Sequence, residues 1–320
     1  KPQVLAFIDH DDRRITWGDF EGAVEDARGD LEALGVGAGD RVVVVFENAI
    51  EVVAFYFAAS HLDAAAVMVN ARMTRPELDR IIMHSDPSAV VFSVDSSEAA
   101  EAHALEFGAR ACEGPYGRVA VWPRGGSVAE PVSASGEEQV ALLLYTSGTT
   151  GHPKAAMLTH SNMISAGRAS ADVRGMRDGD MTYLALPMSH IFGLVTVHAI
   201  CLAQGSARLE ARFDVARLYK ALQEDVTLLP AVPQMHAHLF HYARAHDMPR
   251  YDRGLLRYVS SGGAPLDPAW KREAEEFYGQ PLQNGYGLTE SSGVVSCNPY
   301  EALNKLGSIG QPLPGTLIRL

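Results

Sequence analysis

The segment YTSGTTGHPKAAMLTH, residues 145–160, breaks a regular series of apolar elements with a cluster of small and hydroxylated residues. It follows VALLL at 140–144, an apolar run that is typical of a buried strand. Gly148 and Gly151 lack Cβ atoms, so the backbone here can approach a ligand closely, and successive N–H groups can form a nest for an anion. Lys154 adds a positive charge suited to phosphate. The hydroxyl donors are Thr146, Ser147, Thr149 and Thr150.

An ordinary turn is the alternative explanation of this loop, because Gly, Ser and Thr clusters commonly mark turns. We favour a phosphate site because the loop follows a strand and is predicted to precede a helix, where open α/β sheets bind ligands. It is not a Walker A loop, since Gly148 and Gly151 are three positions apart and Pro153 precedes the lysine. The Rossmann candidate GVGAGD at 35–40 precedes its strand instead of following it, which favours a helix cap and turn.

Apolar elements alternate between strand and helix periods on both sides of this loop. RVVVVFE at 41–47 and AAAVMVN at 64–70 are predicted strands, and IEVVAFYFAASHL at 50–62 is a predicted helix between them. TRPELDRIIMHS at 74–85 is a predicted helix that opens with Thr74 and carries Pro76 in its first turn. The same rhythm resumes after residue 140. It predicts an α/β fold with two mostly parallel sheets and flanking helices.

Residues 1–137 are predicted to form one subdomain and its connection, and residues 138–320 a second subdomain. The connection, at 109–137, is rich in Gly, Pro and Ser around one short predicted strand, RVAVW at 118–122.

The composition limits the classes of partner and compartment. The chain has 320 residues and a net charge of −12, and so acidic a surface makes nucleic acid an improbable partner. Its three cysteines have no CxxC spacing, which predicts a cytoplasmic protein without disulfides or a zinc knuckle. The most apolar segment, IFGLVTVHAICLA at 191–203, is too short to span a bilayer and is predicted to be a buried helix.

With its neighbours in the sequence, the loop resembles the phosphate-loop signature of the adenylate-forming superfamily, which includes acyl-CoA synthetases. Three further motifs are similar to those of the superfamily and follow in its order: PMSHIFG at 187–193, SSGGAPL at 260–266 and NGYGLTES at 284–291. GSIGQPLPG at 307–315 resembles the segment that closes the large N-terminal domain. Ala155 departs from the pattern, which usually has Gly after the lysine.

This resemblance implies an ATP-dependent activation of a carboxylic acid, fatty or aromatic, to an acyl-adenylate and then to a coenzyme A thioester. ATP or AMP, Mg²⁺ and coenzyme A are the implied ligands. Lys154 and the loop would hold the β- and γ-phosphates, Thr289 would contact the α-phosphate and Glu290 would bind Mg²⁺. The other nucleotide-binding residues implied are Gly263, Ala264, Pro265, Asn284, Gly285, Tyr286 and Gly287. For Thr289 and Glu290 the alternative is the cap and first turn of a helix.

The substrate acid is expected near His190, which resembles the superfamily's histidine at the entrance for the carboxylate and the thiol. Thr289, Glu290 and His190 are therefore the candidate catalytic residues. The predicted acyl pocket comprises His190, Val232, Met235, His236, Leu239 and Gly262. No acidic residue or cysteine that could act as a metal ligand accompanies the histidines at 236, 238, 241 and 246. We therefore favour a helix that forms one wall of the pocket over a metal site.

Two other functions stay open: a peptide-synthetase-type adenylation module and a non-catalytic nucleotide-binding protein. PMSHIFGLV carries no acid that could bind an amino group, which favours an acid without an α-amine. The superfamily's smaller C-terminal domain is expected to be absent from these residues, so the segment alone is expected to bind ATP but to adenylate weakly. A homodimer is compatible with the sequence, although no feature specifies it.

Overall fold

The computed structural model describes residues 1–146, 153–248, 250–251, 254–299 and 305–319. Within them the fold is α/β, with two sheets of mostly parallel strands and flanking helices, as the alternating pattern predicts. The chain divides into two compact units. The first unit is Lys1–Met163 with Pro187–His190, and the second is Ile164–Leu186 with Ile191–Leu320.

The first unit is built on a seven-stranded sheet of order β6-β7-β5-β3-β4-β8-β9. Strands β5, β3, β4 and β8 are parallel, whereas β7, β6 and β9 are antiparallel to their neighbours. Outside this sheet, β1 and β2 pair antiparallel with each other. Its strands are β1 (Leu5–Ile8), β2 (Arg14–Thr16), β3 (Arg41–Phe46), β4 (Ala65–Asn70), β5 (Ala89–Phe92), β6 (Arg110–Gly114), β7 (Gly117–Pro123), β8 (Val140–Thr146) and β9 (Lys154–Thr159). Its helices are α1 (Trp17–Ala33), α2 (Ile50–His61), α3 (Arg75–Ser85) and α4 (Glu98–Phe107).

The central strands explain why this sheet is stable. All six residues of β3 are buried, as expected for a parallel strand covered on both faces. Helix α3 packs Leu78 and Ile82 into the same apolar core. Its N-terminus is a capping box between Thr74 and Glu77, with Pro76 in the first turn, so the helix start predicted from the sequence is confirmed.

The segment after the phosphate-loop candidate differs from the prediction. A helix was expected to follow the loop, but the chain first forms β9, which pairs antiparallel with β8. Strands β8 and β9 are therefore the two arms of a β-hairpin, and helix α5 (His160–Arg174) begins only after β9. Without β9, strand β8 would be an uncovered sheet edge with unpaired backbone groups.

The two units are divided at a different place from the predicted subdomains. The predicted boundary at 137/138 assigns β8 and β9 to the second subdomain. In the structure β8 lies parallel to β4, so both strands belong to the first sheet. The connection at 109–137 also contains the β6–β7 hairpin, of which only one strand was predicted.

In the second unit the strands follow the order β16-β15-β14-β13-β12-β10-β11, and those from β14 to β11 are parallel. They are β10 (Met181–Leu184), β11 (Ser206–Leu209), β12 (Leu228–Ala231), β13 (Tyr258–Ser261), β14 (Leu282–Leu288), β15 (Gly293–Cys297) and β16 (Gln311–Pro312). The helices are α5, α6 (Ile191–Ala203), α7 (Val215–Glu224), α8 (Pro233–Ala245) and α9 (Pro268–Tyr278). The prediction that 191–203 is a buried helix is confirmed, and no helix among the described residues has the length and apolarity to cross a membrane.

Candidate active site

The hairpin of β8 and β9 holds the two described ends of the phosphate-loop candidate. Thr146 ends β8, Lys154 begins β9, and the two are register partners. The Lys154 side chain is exposed and forms no salt bridge with any residue in the described ranges. Its charge is therefore available to a ligand. Ser147, Gly148, Thr149, Thr150 and Gly151 lie outside the described residues.

A cleft of about 320 Å³ opens beside this hairpin, within the first unit. Tyr145, the neighbour of Thr146, forms part of its lining together with His190. The other lining residues are Met68, Asn70, Arg72, Met73, Glu77, Ile81 and Ser189. The end of the phosphate-loop strand and His190 therefore border one cleft.

The segment that carries His190 is fixed by backbone hydrogen bonds. The Met188 N–H donates to Asn48 Oδ1 at 2.9 Å, and the His190 N–H donates to the Pro187 carbonyl at 3.0 Å, closing a tight turn. The imidazole lies at the surface of the cleft, where partial burial lowers the pKa of His190. At pH 7 it is therefore a neutral hydrogen-bonding group rather than a cation.

Sequence reasoning missed the other polar residues that line this cleft, Asn70 and Arg72 among them. Arg72 donates to the buried Glu47 carboxylate, with Nε to Oε1 at 2.7 Å, and the Arg72 N–H donates to Asn70 Oδ1 at 2.9 Å. Burial also raises the pKa of Tyr145 to about 12, so its phenol stays protonated at neutral pH. Their place in the sequence could have identified them. Asn70 and Arg72 come at the carboxyl end of the buried strand β4, and parallel sheets bind ligands at the carboxyl ends of their strands.

In the second unit, two of the predicted motifs lie side by side. Strands β13 and β14 are parallel, with Ser261 opposite Asn284, so Gly262 and Gly285 follow at the same end of the sheet. The Gly262 N–H donates to the Ala231 carbonyl at 3.1 Å. Gly263 has a φ of +75°, a backbone conformation that favours glycine. Ala264 and Pro265 continue this turn towards α9.

The glycines around Tyr286 allow two strands to approach closely. A Cβ on Gly287 would overlap the Gly293 carbonyl oxygen of β15, so no side chain fits there without moving the backbone. Tyr286 stands between Gly285 and Gly287 and is 43% exposed. A flat ring left this open can stack against an adenine base. Asn284 is buried instead, and its Nδ2 already donates to the Ser308 carbonyl at 3.1 Å.

Thr289 and Glu290 lie in a single turn of 3-10 helix, Thr289–Ser291, which begins after β14. The alternative reading made Thr289 the cap and Glu290 part of the first turn of a helix, but in the structure Leu288 occupies the cap position and Thr289 already lies inside the single turn. The Glu290 side chain is exposed and forms no salt bridge within the described part of the chain. A free carboxylate of this kind fits one ligand position of Mg²⁺, which usually takes its remaining ligands from phosphates and water.

The predicted acyl-pocket residues on α8 are tightly packed. Met235 and Leu239 are buried, and His236 uses both ring nitrogens within the protein. Nε2 is 3.3 Å from the Ser260 carbonyl, which can only accept, so Nδ1 accepts from the Tyr278 hydroxyl at 2.9 Å. Burial lowers the pKa of His236 to about 4, so the ring is neutral. Val232 lies near Gly263, with Cγ1 3.6 Å from where a Cβ of that glycine would be.

The histidines of α8 do not converge on one point, because His236 is buried whereas His238, His241 and His246 are exposed. Among the described residues, only Asp9, His10 and Asp11 are close enough together to share a metal ion. Asp9 already accepts from His10 and Arg13. This group therefore resembles an internal hydrogen-bond network more than a metal site.

Comparison with known proteins places these motifs in a family, since the profile of the AMP-binding enzymes matches residues 1–320. The chain belongs to the AMP-binding enzyme family. Among curated members, the long-chain-fatty-acid–CoA ligase FadD13 of Mycobacterium tuberculosis is 30% identical over 97% of this chain. The 2-succinylbenzoate–CoA ligase of Oceanobacillus iheyensis is 29% identical over 88% of it. The chain spans 62% and 57% of the lengths of these two AMP-binding enzymes.

Two solved structures share the fold of this chain. ATP-bound MatB from Rhodopseudomonas palustris has a TM-score of 0.83 and 29% identity, with 98% of this chain and 62% of that chain covered. The N-terminal domain of FACL13 from Mycobacterium tuberculosis has a TM-score of 0.80 and 27% identity, with 98% of this chain and 79% of that chain covered.

Proposed function

We propose that the protein activates a carboxylic acid, fatty or aromatic, with ATP, and transfers the acyl group to coenzyme A with release of AMP and pyrophosphate. The register of β13 and β14 carries this proposal, because it brings the SSGG and NGYG motifs together at the carboxyl end of parallel strands. The names of the curated relatives, which are CoA ligases, support it.

The reaction needs little acid–base chemistry from the protein. A substrate carboxylate is already ionised at pH 7, so it can attack the α-phosphorus of ATP without a general base. The obstacle is electrostatic, because an anion must approach a polyanion. Lys154, which is exposed and free of salt bridges within the described residues, is proposed to neutralise the β- and γ-phosphates.

Thr289 and Glu290 are proposed to act at the α-phosphate and at Mg²⁺, respectively. When bound, Mg²⁺ supplies charge neutralisation at the phosphate oxygens. Glu290 would hold it with one exposed carboxylate. Tyr286 would stack on adenine, and Gly263, Ala264 and Pro265 would line the other face of the base.

His190 and its cleft are proposed to serve the acid and the thiol. A neutral imidazole can hydrogen-bond the carboxylate during the first step without a fixed positive charge that would retain the product. Coenzyme A is proposed as the acceptor thiol, and a cytoplasmic location is proposed because all three cysteines are unpaired.

The test is to incubate the full-length protein with ATP, Mg²⁺, coenzyme A and a panel of fatty, aromatic and amino acids. AMP and one or more acyl-CoA products, identified by mass spectrometry, are expected with acids that lack an α-amine. Adenylation of amino acids alone would favour a peptide-synthetase-type module. ATP binding without AMP release for any acid would favour a non-catalytic nucleotide-binding protein.

A further inference from the structure

Arg174, the last residue of α5, is a buried cation. The residue is 4% exposed, and its guanidinium forms no salt bridge with any residue in the described ranges. Nη1 donates to the Ser170 hydroxyl one turn earlier, and Nε finds no hydrogen-bond partner among those same residues. Burying a charge is costly unless it is paired, and the dipole at the C-terminus of α5 offsets only part of that cost. A bound anion from outside the chain would offset the remaining free-energy cost of burying this charge.

The surroundings of Arg174 connect it with the proposed substrate site. Its Cζ lies 5.8 Å from the centroid of the Phe192 ring. Cε1 of the same ring lies 3.2 Å from where a Cβ of Gly262 would be. One aromatic ring therefore separates the guanidinium from the glycine turn in which acyl and adenylate groups are proposed to bind.

A second unsatisfied polar group lies on the strand that leads to this turn. The hydroxyl of Ser260 is buried and makes no hydrogen bond of standard geometry with the described residues, although it acts to lower the pKa of the nearby Tyr258 phenol. Tyr258 and Ser260 alternate along β13, and Gly262 follows the strand in the same alternation, so their side-chain positions share one face of the sheet. Burial raises the pKa of Tyr258, and the nearby positive charge of Arg174 opposes this rise.

We propose that Arg174 and Ser260 bind a second carboxylate, at the far end of the acid whose first carboxylate is activated. This inference rests on the proposed function and narrows its substrate class to dicarboxylic acids. A guanidinium presents a planar fork that matches a carboxylate, and a serine hydroxyl adds one donor. The Phe192 ring supplies apolar contact for the carbon chain or ring between the two carboxylates.

The test uses stable acyl-adenylate analogues, 5′-O-(N-acylsulfamoyl)adenosines. Succinyl and glutaryl analogues are compared with the butyryl and valeryl analogues, which lack the second carboxylate. Binding to the full-length protein is measured by calorimetry, with AMP as a separate ligand. Wild type is expected to bind a dicarboxylic analogue about tenfold or more tightly than its monocarboxylic partner, as expected for a buried hydrogen bond to a charged group.

Substitution at Arg174 should remove this preference selectively. Arg174→Met is expected to bind both members of a pair equally, with its affinity for AMP unchanged, and Arg174→Lys should keep part of the preference. Arg168→Met, an exposed position on the same helix, is the matched control and should behave as wild type. Should Arg174→Met fail to fold, Ser260→Ala provides the second variant and should reduce the preference.

The outcomes separate this inference from the proposed function. AMP binding together with equal or tighter binding of the monocarboxylic analogues by wild type would overturn the inference and leave the function standing. If neither AMP nor any analogue bound, the proposed function would fail, and the inference would fail with it.

Discussion

Thr146 and Lys154 face each other as register partners at the loop end of the β8–β9 hairpin. The cation that is proposed to hold ATP phosphates is thus attached to a paired strand rather than to a free loop. Backbone pairing fixes the position of the Lys154 backbone. Less conformational entropy is therefore lost when a ligand binds.

Lys154→Met should weaken ATP binding while preserving the fold, since the side chain is exposed and has no salt bridge within the described residues. Losing one charged hydrogen bond to phosphate is expected to raise the Kd for ATP by about tenfold to a hundredfold. Calorimetry measures this change. Lys220→Met, at another exposed lysine, is the control and should leave the Kd unchanged. Equal affinities of Lys154→Met and wild type would exclude Lys154 as a phosphate ligand.

Gly287→Ala should destabilise the second unit, because the new Cβ would overlap the Gly293 carbonyl oxygen. Overpacking against backbone is expected to lower the free energy of unfolding by about 1 to 3 kcal/mol, as measured in urea. Gly22→Ala on α1 is the matched control, because nothing lies within 4 Å of its added methyl group. That variant should be more stable by about 0.5 to 1 kcal/mol. A neutral Gly287→Ala would show that β14 and β15 are less closely paired than described.

Glu51 should make the stability of the first unit depend on pH. Its carboxylate is 1% exposed and accepts from Ser93, and its Oε2 lies 3.8 Å from Arg13, which also pairs with Asp9. Burial, followed by the charge of Asp9, raises the pKa of Glu51 to about 7. The unfolded chain releases this proton near pH 4.5, so stability is expected to fall as pH rises from about 4.5 to 7 and then to level off.

Glu51→Gln removes this titration and should flatten that part of the profile. Thermal unfolding between pH 4.5 and 8 measures it, with the exposed Glu25→Gln as control. Asp9 does not titrate in this window. Burial acts to raise its pKa, but hydrogen bonds from His10 and Arg13 outweigh that effect and lower it. An unchanged slope in Glu51→Gln would show that another group is responsible.

Local patterns predicted most of the parallel core correctly. The strand at 41–47, the helix at 50–62 and the proline-started helix α3 all lie within a residue or two of their predicted bounds, because each has a strong apolar period or a capping box. Strand β9 was missed because KAAMLT has little strand character of its own. It forms through pairing with β8, a tertiary contact that local sequence does not reveal.

Site residues within contiguous sequence motifs could be predicted, whereas those brought together only by tertiary contacts could not. SSGGAPL and NGYGLTES were recognisable as motifs, and the register of β13 and β14 brings them together. The bond from Asn284 to the Ser308 carbonyl, 24 positions further along the chain, could not be predicted from either motif. Arg72 and Tyr145 likewise reach the cleft of His190 from separate strands and loops.

The most direct test of the proposed activity is carboxylate-dependent exchange of labelled pyrophosphate into ATP by the full-length protein, in wild type and Glu290→Gln. Exchange is expected in wild type and should require both the acid and Mg²⁺. Glu290→Gln should lose about a hundredfold or more of this exchange, the size expected when a preorganised electrostatic contact is removed. Absence of exchange with every acid tested, or full exchange in Glu290→Gln, would rule out the proposed activity or the role of Glu290 in it, respectively.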